Sequence, residues 1–76
     1  MSHYKLNVMT KDTIIDIYVE ANNTVEDVQN ILTVYFDSQT VYQKIYFNGR
    51  HLYENEILGK IGIKSGDTVV CILKNI

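Results

Sequence analysis

Residues 13–32 read TIIDIYVEANNTVEDVQNIL, and the apolar period changes inside them. From Ile14 to Glu20 the period is two. Ile15, Ile17 and Val19 fall on one face, and Ile14, Asp16, Tyr18 and Glu20 on the other, as in a half-buried strand. From Val25 the spacing becomes three to four, through Val28 and Leu32 to Tyr35 and Phe36, with Ile31 flanking the stripe. That is the pattern of an amphipathic helix. Thr24 stands where an N-cap belongs. Asp27, three residues on, offers a carboxylate to the free amides and the helix dipole, in a weaker capping box than Glu or Gln would make. No glycine marks the end of the helix, which the pattern lets fade near Asp37 and Ser38. A strand followed by a one-sided helix needs a sheet beneath it, and that requirement decides the fold class.

The flanking sequence supplies that sheet. Upstream, Tyr4, Leu6 and Val8 alternate with Lys5, Asn7 and Met9, and the polar break TKD joins this run to the next as a β-hairpin. Downstream, YQKIYFNGRHLY returns to strand. Its Asn48-Gly49 pair, set between apolar runs, signals a tight turn in which both residues take positive φ. Leu52 lies on a short second arm. ENEILGKIGI looks irregular, with Leu58, Ile61 and Ile63 tucked inward, and KSGD is turn chemistry. The last strand carries five consecutive apolar residues, Val69 to Leu73, as a central strand would. The expected architecture is α+β: a mixed sheet with one amphipathic helix across one face.

Size and composition narrow the function. The chain has 76 residues, so residues 1–76 are read as a single domain. Cys71 is the only cysteine, which rules out an internal disulfide. With His3 and His51 it forms a scattered set of soft ligands rather than a metal site, and no cofactor motif is present. The net charge of −2 offers no general pull toward nucleic acid, and no apolar run is long enough to span a membrane. The start, MSHYKLNV, lacks the apolar run of a signal peptide. A reduced thiol fits a cytoplasmic or nuclear setting.

The order of elements and the spacing of KIYFNGRHL…IL…IGIKSGDTV resemble ubiquitin and the ubiquitin-like domains, and the resemblance extends over nearly the whole chain. It implies a β-grasp fold with a five-stranded mixed sheet. GIKSGDTVV is especially similar to the corresponding loop in domains of proteasome shuttle and adaptor proteins. Family members that are conjugated to targets end in Gly-Gly, whereas this sequence ends Lys74, Asn75, Ile76. The expectation is a domain that is not itself conjugated. Arg50 stands where the best-known linkage lysine would be, and a guanidinium is too weak a nucleophile for an isopeptide bond.

What the resemblance leaves is recognition through an apolar patch on the helix-free face. Position by position, the patch falls on Tyr46, Val70 and Ile72, with Lys44 and Lys74 as basic rim positions. Met9, or Thr10 and Lys11, supplies the flanking hairpin, which is one residue shorter than in ubiquitin. Arg50 and His51 complete the candidate partner-binding set, and His51 on this reading is a surface residue at the patch edge. Exposed hydrophobes taken singly need no explanation. The outward positions Lys5 and Asn7 of the first strand are polar, however, and only the last strand and Tyr46 keep that face apolar. Contiguous apolar surface of this kind marks a contact site.

Competing readings are weaker. Strand parity puts Val69, Cys71 and Leu73 under the helix, where a thiol is an inert small hydrophobe with a raised pKa, and no His and acid are placed to activate it. Tyr46 with Lys44, Arg50 and Lys74 could form a stacking stripe for nucleic acid, but a net-acidic domain disfavours it. Tyr4 is expected in the core, and Tyr18 and Tyr53 on the surface. The function expected is therefore a non-enzymatic, monomeric recognition module, bound by ubiquitin-binding domains or proteasome receptor subunits. The alternatives are a free-standing, non-covalent ubiquitin-like protein such as a splicing-associated one, or a modifier precursor whose Gly-Gly tail is missing from this chain.

Overall fold

The computed structural model describes residues 3–36 and 41–75. Its elements run β1 (Tyr4–Met9), β2 (Ile14–Val19), α1 (Val25–Leu32), β3 (Val41–Phe47), β4 (Arg50–Leu52), α2 (Leu58–Ile61) and β5 (Thr68–Asn75). The five strands form one mixed sheet in the order β2-β1-β5-β3-β4. β1 and β5 run parallel at its centre, and the other neighbouring pairs are antiparallel. This is the β-grasp arrangement, with a second, four-residue helix that the irregular look of residues 54–63 concealed.

One face of the sheet and the apolar stripe of α1 make the core. Leu6 and Val8 of β1, Ile17 and Val19 of β2, Ile45 of β3 and Val69 and Cys71 of β5 are buried against Val25, Val28 and Leu32. Leu52, Leu58 and Ile63 complete the core. Tyr4, expected in the core, is half-buried and packs against its margin. Gln29 and Gln43 clasp α1 to β3, each side-chain amide donating to the other's backbone carbonyl at 3.2–3.3 Å.

Helix α1 starts as its sequence predicts. Thr24 Oγ1 accepts from the Asp27 amide at 3.2 Å, and Asp27 Oδ2 accepts from the Thr24 amide at 2.9 Å. The amides of Val25 and Glu26 donate to the carbonyls of Glu56 and Glu54, so a distant segment satisfies the first turn. In return, the amides of Leu58 and Gly59 donate to the carbonyls of Asn23 and Ala21. A Cβ on Gly59 would lie 3.0 Å from the Ala21 carbonyl oxygen and 3.2 Å from its Cβ. A side chain at Gly59 would force the two segments apart by a few tenths of an ångström.

Two expectations are corrected. The helix ends at Leu32, short of Tyr35 and Phe36. The amides of Val34 and Tyr35 donate to Ile31 and Leu32, three residues back, and this tightens the chain into a turn. Tyr35 is exposed and Phe36 half-buried; Asp37 and Ser38, where the helix was expected to fade, lie outside the described residues. Leu73, expected beneath the helix, is 37% exposed. The last parallel pair is Met9 with Val70, so β5 runs on past the end of β1 and Leu73 has no strand beside it on that flank.

Candidate docking face

The helix-free face is set by strand parity and then organised by register. On β5, Val70 and Ile72 point away from buried Val69 and Cys71, and are 38% and 43% exposed. Val70 pairs with Met9 on one side and with Tyr46 on the other. Tyr46 in turn pairs with His51, and Ile72 with Lys44. Met9, Val70, Tyr46 and His51 therefore form one row across four adjacent strands, at about 4.8 Å per strand. Met9 is 41% exposed, and Tyr46, His51 and Lys44 are half-buried. The neighbouring row, Asp16–Asn7–Thr68, is polar, so the apolar area is bounded rather than diffuse.

The β4 end of the row is aromatic. The rings of Tyr46 and His51 stack with centroids 5.2 Å apart, and His51 lies 4.6 Å from Tyr53 at a tilted angle. His51 thus joins the row at its β4 end through its contacts with both tyrosine rings. Lys74 is exposed one outward position beyond Ile72, and with Lys44 it gives this side of the face a basic rim. Two more residues extend this row. Ile14 pairs with Met9 and carries the row onto β2, and Tyr53 joins through His51. The hairpin register counted outward from TKD places Ile14 opposite Met9; nothing local gives the position of Tyr53.

Arg50 does not join the face. It alternates with His51, and its Nη2 donates to Glu56 Oε1 at 2.8 Å. Glu56 Oε2 accepts from the Tyr53 amide at 2.7 Å, so one carboxylate ties β4 to the segment that follows it. The Arg50 hydrogen bond, then that of the Tyr53 amide, holds the Glu56 carboxyl below the usual carboxylate range. The Asp27 carboxyl is held low first by the Thr24 amide. A carboxyl depressed in the folded state stabilises above its unfolded pKa, and that contribution disappears as pH falls through the folded value. Glu56→Gln and Asp27→Asn are therefore expected to lower the urea midpoint at about pH 7. The gap from the parent protein should close as pH falls through the folded-state values, because the parent carboxyls are then protonated too.

Cys71 lies in the core, 2% exposed, and burial pushes its thiol up to about 11. It is a packing residue with no route to act as a nucleophile at neutral pH. His3 stands 3.8 Å from Glu20, and among the described residues no three metal-ligating side chains gather. No helix among those residues is long and apolar enough to cross a membrane.

The model of the ubiquitin family matches residues 6–76. The chain belongs to the ubiquitin family. Solved structures with the same fold include the ubiquitin-like domain of Plasmodium falciparum Dsk2, 21% identical with a TM-score of 0.84, covering 96% of this chain and all of that one. Ubiquitin of Caldiarchaeum subterraneum is 22% identical with a TM-score of 0.82, covering 99% and 98%. ATBAG1, solved in complex with HSP70, is 15% identical with a TM-score of 0.82, covering 91% of this chain and 39% of that one. No curated protein matches. As in ubiquitin-like domains generally, this one is suited to binding other proteins and carries no catalytic constellation among its described residues.

Proposed function

We propose that this ubiquitin-like domain is a docking module of the ubiquitin–proteasome system, working in the cytoplasm or nucleus. Ubiquitin-binding helices or proteasome receptor subunits read it through Tyr46, Val70 and Ile72. Met9 and His51 extend the contact along the row, and Lys44 and Lys74 steer an acidic partner onto it. One observation carries this reading: an unbroken apolar and aromatic row crosses the helix-free face in register, beside a polar row of the same sheet. Its likeness to the Dsk2 ubiquitin-like domain supports the setting. So small a patch sits at the low end of interface sizes, and affinity in the micromolar to sub-millimolar range is expected.

The test is a titration of the amide-labelled domain with a ubiquitin-interacting helix and with a proteasomal receptor domain. The expected resonances to move are those of Met9, Lys44, Tyr46, His51, Val70 and Ile72. Shifts that avoid Tyr46, Val70 and Ile72 would overturn the assignment.

A further inference from the structure

The β4 edge of the sheet carries a cleft of about 260 Å³. It lies between Gln29 of α1, Gln43 of β3 and the chain from His51 to Asn55. His51 and Leu52, of opposite strand parity, both line it, so it wraps round this edge from one face toward the other. Pockets for drug-sized ligands hold about 300–1,000 Å³, so this one suits a single side chain. Its outer wall is fixed in place. The Glu26 amide donates to the Glu54 carbonyl at 3.0 Å, and the Tyr53 amide donates to Glu56 Oε2 at 2.7 Å.

Three groups of the cleft call for a cationic donor. Gln43 is 8% exposed, and its Nε2 is committed to the Gln29 carbonyl. That leaves its Oε1, which is buried and has no hydrogen-bond partner among the described residues. Buried acceptors are rarely left so, because an unmade hydrogen bond is costly there. The Glu54 carboxylate is exposed and forms no ion pair among the described residues. The exposed Tyr53 ring offers an aromatic face, steadied by the His51 ring 4.6 Å away. No lysine or arginine lines the cleft, and Arg50 of the same strand is committed to Glu56.

We propose that this cleft receives the arginine side chain of a partner protein. A guanidinium supplies what the three groups lack. It is planar, it stacks on aromatic rings, and it carries five N–H donors in a rigid fork with no acceptor of its own. Stacked on Tyr53, it turns one edge to the Glu54 carboxylate and another toward the Gln43 oxygen. A lysine ammonium is a compact, strongly hydrated charge without that fork. A water molecule satisfies the Gln43 oxygen alone and makes no use of Glu54 or Tyr53. The cleft meets the apolar row at His51 and Tyr53, but Glu54 and Gln43 stand outside it. The assignment therefore does not depend on the row being a docking site.

The probe is the peptide acetyl-Gly-Arg-Gly-amide, with a twin carrying citrulline, the neutral isostere of arginine. Each is titrated to millimolar concentration into the domain labelled at its backbone and side-chain amides. The arginine peptide is expected to shift the backbone amides of Leu52 to Asn55 and the side-chain amide of Gln43. The citrulline twin should bind about three- to tenfold more weakly, the margin of a charge-assisted over a neutral hydrogen bond. Glu54→Gln keeps the backbone carbonyl that holds the Glu26 amide and alters only an exposed side chain, and it should narrow the gap between the peptides. Equal binding of the two peptides would overturn the proposal, as would a gap that Glu54→Gln leaves unchanged. So would shifts that miss Gln43 and the Leu52–Asn55 amides. Shifts confined to Tyr46, Val70 and Ile72 would place the peptide on the apolar row, which overturns this inference and leaves the docking reading standing.

Discussion

Val69→Asp is expected to unfold the domain, and Val70→Asp, the same change one residue later, to leave it folded. Val69 is 1% exposed and packs beneath α1 in the central strand of the sheet. A carboxylate there has no cation within the core to pair with, and an uncompensated buried charge costs about 3–5 kcal/mol. A domain of this length has a total stability of roughly 4–11 kcal/mol at 0.05–0.15 kcal/mol per residue. The substitution therefore removes much or all of it. Val70 points to solvent on the helix-free face. A carboxylate there stays hydrated, and the loss is limited to strand propensity and to contact with Met9 and Tyr46, about 1 kcal/mol. Circular dichroism with urea titration separates the two outcomes. Equal stability of the two variants would mean that β5 does not alternate between core and surface.

That contrast shows what the amino-acid sequence reveals and what it hides. Alternation within one strand is local, so the order of residues in VVCIL is enough to tell its two faces apart. The Thr24–Asp27 cap is equally local, and so is the Asn48-Gly49 turn, where φ is +51° and +79°. The features that escaped depend on distant partners. Helix α2 is only four residues long, and its first amides are satisfied by Ala21 and Asn23, so no periodicity announces it. Tyr35 and Phe36 fit the helical spacing, yet the turn bonds after Leu32 end the helix before them. Leu73 has core parity but outruns β1.

The candidate docking face divides in the same way. Tyr46, Val70 and Ile72 were legible from parity and from the family pattern. Register, which no single strand encodes, added Ile14 and set His51 beside Tyr46. It also removed Arg50 from the face, because the residue after the turn alternates away from His51 and finds Glu56.

Ile72 then tests whether the proposed docking draws its energy from this row. It is 43% exposed in the free domain, with Val70 two residues before it and Lys44 opposite. Full burial of an isoleucine is worth about 1.5–3 kcal/mol, and docking can cover only the part still exposed, so Ile72→Ala should cost about 1 kcal/mol. That is roughly a fivefold rise in Kd for a ubiquitin-interacting helix, with the fold retained and the urea midpoint lowered only by the loss of strand propensity, about 1 kcal/mol. Ile72→Asp adds a charge that the partner must desolvate beside its own acidic groups. From a micromolar to sub-millimolar starting affinity, that variant should show no saturable binding at millimolar concentration. Lys44→Glu provides the complementary arm: it should slow association and flatten the salt dependence while leaving the apolar contact in place. If Ile72→Ala binds as tightly as the parent protein while Lys44→Glu does not bind at all, the face acts through its charges and the apolar row is not the anchor.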